Sequence, residues 1–223
     1  MRTQYAAIVD AESAAGSGSN VGLSEAELVA SYLRAVQVGT AVRVIGTPIP
    51  GKGTTGFDLR LNKDGSAVSV LAPLGIDFTI RAVAGSLYLR FPDSLPDAAV
   101  AAMIGRRRIP SQSRGKWLSA TGRAGKAMAR KFDRYISYDR FLRDLAEDQS
   151  GGPLTAAGAE LLDGEQAARY VTANGEVHFF AATGPAYFLK GVPDPAAGKA
   201  TVTLTWNQPV TVTAPPASQV FHL

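Results

Sequence analysis

The side chains that could do chemistry are few and lie far apart in the chain. Histidine occurs twice, at His178 and His222, and cysteine not at all. Disulfides, thiolate metal sites and thiol nucleophiles are therefore excluded. His178 falls in a strand-like run and His222 is penultimate, which leaves little material for a metal cluster or a Ser-His-Asp arrangement. No GxSxG sequence occurs. Gly46 to Lys52 (GTPIPGK) satisfies GxxxxGK, yet Gly53 stands where a phosphate-binding loop needs Ser or Thr for magnesium. Pro48 and Pro50 remove two amides that such a loop would aim at phosphate, and a strand follows instead of a helix, so the segment reads as a turn. Tyr32, Asp77 and Arg81 could decorate a site, but nothing marks them above ordinary surface residues. The expectation is a protein without catalysis, cofactor or metal.

Charge is the second chemical signal. The 223 residues carry 23 Lys plus Arg against 19 Asp plus Glu, a net +4 that is unevenly placed. From Arg106 to Arg134 there are ten bases (Arg106, Arg107, Arg108, Arg114, Lys116, Arg123, Lys126, Arg130, Lys131 and Arg134) against one acid, Asp133. Arg106, Arg107, Arg108, Arg123, Lys126, Arg130 and Lys131 are the candidates for a face that docks on anionic headgroups, each cation being worth about 1 kcal/mol near such a surface. The bland alternative is a solvated lid. Nucleic acid is not expected as a partner: Trp117, Phe132, Tyr135 and Tyr138 are interleaved with the charge, but helical spacing sends most of them to the core.

The elements that must hold these residues are mostly strands. Phe57, Leu59 and Leu61 alternate with Asp58, Arg60 and Asn62; Ile76, Phe78 and Ile80 with Asp77, Thr79 and Arg81; Leu87, Leu89 and Phe91 with Tyr88 and Arg90. Val68 and Val70 flank Ser69. Period two predicts strands with one apolar and one wet side, joined at Asn62 to Ser66 (NKDGS) and at Ala84-Gly85-Ser86 into an antiparallel meander. Before it, the Gly/Ser/Ala-rich residues 1–22 read as a flexible tether. Ser24 and Glu27 have capping-box spacing ahead of a stripe of Leu28, Val29, Tyr32, Leu33 and Val36 that ends at Gly39. After the meander come a short helix opening at Pro96-Asp97, a strand at Gly115 to Ser119 (GKWLS), and two helices signed by Met128, Phe132 and Tyr135 and by Tyr138, Phe141, Leu142 and Leu145. Further strands are expected at Arg169–Ala173, Val177–Ala182, Tyr187–Lys190, Thr201–Trp206 and Val210–Thr213. The class is α+β: one long antiparallel sheet that curls around helices on its apolar side. No stretch approaches the roughly 18 apolar residues of a membrane-spanning helix, and Met1-Arg2-Thr3 opens no apolar targeting segment.

The closing third carries a resemblance. Val177 to Leu189 (VHFFAATGPAYFL), Thr203 to Asn207, and PVTVTAPPASQVFHL from Pro209 to Leu223 closely resemble the last strands of actinobacterial lipoproteins of the LppX/LprG group, which share the half-barrel fold of the LolA and LolB carriers. The helix from Ser24 to Val36, SLYLRFP at Ser86 to Pro92 and GKWLS fall in the order that group has them. The resemblance implies a single half-barrel domain over 23–223, a curved antiparallel sheet of about eleven strands wrapped around helices on its concave apolar face, with an apolar cavity for the acyl chains of a lipid or acylated molecule. It also implies an extracytoplasmic protein anchored to the cell membrane through a lipidated N-terminal cysteine. No such cysteine is present, so the anchor is expected to have been removed with the signal. The cavity would be lined by Leu59, Val68, Val70, Ile76, Phe78, Ile80, Leu87, Leu89, Met103, Val202 and Leu204. The same stripes would equally serve a filled core, in which case the protein would act through its surface on an envelope partner.

Overall fold

A computed structural model describes residues 18–48, 56–72, 77–119, 122–147 and 152–223. They fall into two compact units, one within 1–38 and 149–194, the other within 39–148 and 195–223. Of the expected features, Ile76, Lys52 and most of the tether lie outside the described residues.

The second unit is built on the meander. Strands β1 (Ala41–Thr47), β2 (Gly56–Asn62), β3 (Ala67–Ala72), β4 (Phe78–Val83) and β5 (Ser86–Arg90) follow one another. The helix α2 (Asp97–Met103), the short β6 (Trp117–Ser119), the helices α3 (Gly122–Ile136) and α4 (Tyr138–Glu147), and finally β11 (Thr201–Trp206) and β12 (Val220–His222) complete it. Its strands run side by side in the order β12-β6-β5-β4-β3-β2-β1-β11, antiparallel except for the parallel β12–β6 pair. Turn chemistry sets the register. Gly65 (φ 84°) lets Asn62 N–H reach the Ser66 carbonyl at 2.9 Å, and Ala84 and Gly85 (φ 47° and 74°) make the left-handed pair that a two-residue hairpin requires. One cross-strand row then reads Leu204, Val44, Leu59, Ser69, Ile80, Leu89, Leu118, all buried.

That row corrects one expectation. Val68 and Val70 look like the apolar side of β3, but they pair with Arg60 and Asp58 on one flank and with Arg81 and Thr79 on the other. The half-exposed valines share the outer face with charged residues, while Ala67, Ser69 and Leu71 face inward. Since a register slip of one residue exchanges the faces of a strand, the neighbours and not the residue types decide.

Val210–Thr213 is not a strand either. Residues 208–216 form a strap, followed by a 3-10 turn at Ala217–Gln219, that carries the chain from β11 to β12 beside β6, which is why β12 arrives parallel to β6. Asn207 N–H binds the Ala41 carbonyl at 2.9 Å. Asn62 then gives Val210 both hydrogen bonds a ladder would have supplied, Nδ2 to its carbonyl at 2.7 Å and Oδ1 from its N–H at 3.1 Å. Pro209, Pro215 and Pro216 lack the N–H a ladder needs.

The first unit holds α1 (Glu25–Val38) and the strands β7 (Leu154–Leu162), β8 (Glu165–Thr172), β9 (Val177–Ala181) and β10 (Phe188–Val192), ordered β10-β9-β8-β7. The capping box forms as expected: the Glu27 carboxylate accepts from Ser24 N–H at 2.9 Å and from its hydroxyl at 2.6 Å, which holds the carboxyl below its ordinary range. Leu28, Tyr32, Ala35 and Val36 form the buried face of α1, with Tyr32 edge-on to Phe180 and Phe180 edge-on to Tyr170. The reading of 1–22 as a loose tether fails at its end. Ser19 bridges Thr183, and Asn20 N–H binds the Ala182 carbonyl at 2.7 Å. The Asn20 amide donates to the carbonyls of Ala181 and Gly184, both at 2.9 Å, so a polar residue in a Gly/Ser run is consumed as an added edge bridge.

Candidate functional site: an apolar sheet face under an amphipathic helix

The inner face of β2 to β5 is apolar, and α3 lies on it. At 3.6 residues per turn, Met128, Phe132 and Tyr135 share one side of that helix, and Lys126, Arg130 and Arg134 share the opposite one. Met128 and Phe132 are buried, while Lys126, Arg130 and Arg134 are exposed. Phe132 meets Phe78 edge-on with centroids 6.1 Å apart, and Phe78 stacks on Phe91 at 5.1 Å. Ser69, the one polar residue in the buried row, donates its hydroxyl hydrogen to the Tyr135 carbonyl. That carbonyl belongs to the last turn of α3, where helical partners run out, so the hydroxyl satisfies two buried groups at once and pins the helix end to the sheet. The pattern Val-Ser-Val gave no hint of this; the alternation of β2 and β4 on either side was the signal that could have.

Of the expected lining, Leu59, Phe78, Ile80, Leu87, Leu89 and Leu204 are buried on this inner face. Val202 sits opposite Gly46 on the same side but is only half-buried, and Met103, at the end of α2, is half-buried beside the buried Val100 and Ile104. Where α2 approaches the sheet, Phe91, Leu95, Val100, Ile109 and Leu118 border a cavity of about 20 Å³, room for about one water. The aromatic contacts under α3 thus hold side chain against side chain. An acyl chain on this face must displace Met128 and Phe132, which contribute roughly 1.5 to 3 kcal/mol each by burial. About four to eight methylenes at ~0.8 kcal/mol each would offset that loss.

The outer face is polar, with Arg43, Arg60, Arg81 and Arg90 on it and Asp58 among them. Arg43 and Arg60 stand directly opposite one another, which is unfavourable for like charges. Asp58 resolves it, taking Arg43 through Nε at 3.0 Å and Nη2 at 2.7 Å, and Arg60 through Nη2 at 3.1 Å. Burial alone would raise the Asp58 carboxyl; the hydrogen bonds from Arg43 and then Arg60 outweigh it and leave it below its usual value. Trp117, alternating with the inward Leu118, is buried on the outer side with the Arg81 guanidinium 4.6 Å from its ring centre and Arg90 at 5.9 Å. Arg81 also reaches the Thr213 carbonyl of the strap at 3.3 Å.

The residues first considered for catalysis are placed without a catalytic arrangement. Gly46 lies within β1, where a β-carbon would stand 2.3 Å from the Phe57 ring, so this glycine makes room for an aromatic neighbour. His178 Nε2 is 3.8 Å from the Glu176 carboxylate and its ring packs on Phe188, while His222 is exposed on β12. Tyr32 is buried in α1, Asp77 is exposed, and Arg81 serves Trp117. Among the described residues no three His, Cys, Asp or Glu side chains gather as metal ligands. Of the basic candidates, Arg106, Arg107, Arg108, Lys126, Arg130 and Lys131 are exposed; the side chain of Arg123 lies outside the described set.

The architecture is the α+β half-barrel of LppX/LprG-type lipoproteins, the group that the closing residues resemble. Among solved structures, LprF from Mycobacterium bovis matches with a TM-score of 0.54 at 14% identity, over 86% of this chain and 96% of that one. That likeness is one of fold. Mycobacterium tuberculosis lipoprotein LppX follows at a TM-score of 0.46 and 18% identity, covering 85% of this chain and 98% of that one. MucB of the Pseudomonas aeruginosa MucA/MucB complex follows at 0.34 and 15%, covering 87% and 59%. No family model and no curated protein matches the sequence. Among the described residues no helix is long and apolar enough to cross a membrane.

Proposed function

We propose that this protein is a non-catalytic, extracytoplasmic lipoprotein that carries a lipid or other acylated guest on the apolar face of β2 to β5, tethered to the cell membrane at its N-terminus. The observation that carries this reading is the buried row Leu59, Ile80, Leu89 and Leu118 beneath a helix whose far side is cationic. A helix held on one side by Phe132, Met128 and the Ser69 hydroxyl, and soluble on the other, can leave the face without exposing a second apolar surface on its outside. The resemblance of the C-terminal third to a group of lipid carriers supports the same reading. Binding is burial of the acyl part, and release follows the return of α3. Native mass spectrometry of the purified and the delipidated chain tests it, together with uptake of a fluorescent fatty-acyl probe. Extracted lipid and saturable uptake are expected; a folded chain that yields no lipid and takes up no probe ends the carrier reading.

A second reading is favoured by one observation, the Phe91–Phe78–Phe132 packing, which fills the face with the protein's own rings. On it the interior is permanently occupied and the protein acts through its surface on an envelope partner. The variant Phe132→Ala separates the two when stability is followed alongside uptake: enlarged room raises probe affinity in a carrier, and only destabilises a filled core.

A further inference from the structure

We infer that the outer side of α3 and the loop after α2 form one cationic surface that seats on an anionic lipid bilayer. Three observations carry this. The two segments are joined: Lys131 Nζ donates to the Ala102 carbonyl at 3.4 Å, in the last turn of α2. Gly105 (φ 75°) closes that helix with its N–H on the same carbonyl at 3.1 Å, and Arg106 N–H on the Ala101 carbonyl at 2.7 Å, so Arg106 to Arg108 start from a fixed point beside α3. The charges are also unspent. Arg106, Arg107, Arg108, Lys126 and Arg130 are exposed, and among the described residues no carboxylate lies within 4.0 Å of them, whereas Arg114 is paired with Asp97 at 3.0 Å. Finally, the excess charge is local: residues 106–134 hold ten bases and one acid, and the rest of the chain 13 bases against 18 acids, so this segment is the part of the chain that an anionic surface attracts most.

The form of the surface selects a bilayer over a nucleic acid. Single-stranded nucleic acids take a charged groove with exposed rings for stacking. Here Trp117, Phe132 and Tyr138 are buried, and the Arg134 guanidinium sits 5.7 Å from the Tyr135 ring centre. What remains is a patch of long cationic side chains on a helix with an apolar reverse, the pattern of interfacial helices. Docking does not require a guest in the interior. It brings headgroups to the outer side of the helix that covers the apolar face.

Co-sedimentation of the 223-residue chain with phosphatidylcholine vesicles, with and without 30 mol% (~30%) phosphatidylglycerol, tests the inference. Binding is expected only to the anionic vesicles and weakens as salt rises. The variant Arg106→Gln/Arg107→Gln/Arg108→Gln should lose affinity by about fivefold per cation removed, roughly a hundredfold together. Lys126→Gln/Arg130→Gln should show the same loss per cation, and Arg34→Gln on α1 none. Thermal unfolding of each variant checks that the fold is kept. Equal binding to neutral vesicles, undiminished binding by the folded triple variant, or capture by duplex DNA at a salt concentration where vesicles are ignored would overturn it. Acyl-probe uptake in the absence of vesicles is unaffected by the triple variant, so failure of docking and failure of the carrier reading are separately visible.

Discussion

The meander β2 to β5 in one unit and the strand β7 in the other solve one problem in opposite ways. In β3 to β5 every second residue is buried, the buried row is continuous from Leu204 to Leu118, and α3 lies on its middle strands, β2 to β5. In β7 seven consecutive residues, 155–161, are exposed, so that strand turns neither face inward and leaves Leu161 68% exposed. The first sheet is specified by burial, since slipping any strand by one residue would turn leucines and isoleucines to water. β7 is held by backbone pairing to β8, by the Arg169–Glu160 ion pair at 3.3 Å and by the hydrogen bond from Leu154 N–H to the Glu25 carboxylate at 3.1 Å. Of the two regions, the packed one lies under α3, the element that the proposed guest and membrane would act on.

The largest effect that could break this contrast is expected at the helix and the row beneath it. Ile80 and Leu89 are fully buried and Phe132 is 5% exposed. Ile80→Ala or Leu89→Ala should cost about 2 to 5 kcal/mol and Phe132→Ala about 3 to 5 kcal/mol in denaturant unfolding. A cost below about 1 kcal/mol at Ile80 would mean that the face is not packed as described.

The next effect tests the first unit where it is well tied. The buried Tyr170 hydroxyl donates to the Asn20 carbonyl at 2.8 Å, with the Leu23 carbonyl at 3.2 Å, fixing the residues that lead into α1. Tyr170→Phe leaves these groups without that donor and should cost about 1 to 2 kcal/mol. The loss should appear first as faster amide exchange at Asn20, whose N–H bridges to Ala182. Unchanged exchange would show that Asn20 is held by its own side-chain amide alone.

What the sequence made legible follows the same contrast. The strands of the meander, the turns at Asp64-Gly65 and Ala84-Gly85, and the capped α1 are readable because burial and turn geometry leave a period or a residue type behind. β7 leaves neither: Thr155, Ala156, Ala157 and Gly158 carry no alternation, since no face of that strand is buried. The inward Ser69 was hidden because its partner is a helix carbonyl 66 residues away. The strap was misread as a strand because Val210–Thr213 alternates, while the group that pairs with Val210 is a side chain on β2. The half-barrel came from resemblance at the C-terminus, not from periodicity, which cannot tell a filled face from one that opens.

A smaller effect separates the outer face from the inner. Asp58 has its carboxyl lowered, so its contribution is fully present above the ordinary carboxylate range and is lost as pH falls through the lowered folded value. Its partners Arg43 and Arg60 are 41% and 44% exposed, which screens the interaction and keeps it well below the core substitutions. Asp58→Asn should therefore be less stable than the parent at neutral pH, and the gap should narrow on acidification below about pH 4. A gap that is constant with pH would place the aspartate's role in packing instead of charge.

The smallest effect is the sharpest test of the contrast, because it asks for nothing to happen. Leu161→Ser removes a large apolar side chain from β7, yet at its exposure the change in unfolding free energy should stay within about 0.5 kcal/mol. The same exchange would be ruinous at Leu89, its counterpart in residue type. The strand's own ladder is unaffected, since Leu161 pairs with Gln166 through the backbone. A destabilisation of 2 kcal/mol or more, measured by the same denaturant titration, would mean that Leu161 is covered in solution. β7 would then differ from the meander in what covers it and not in whether it is covered.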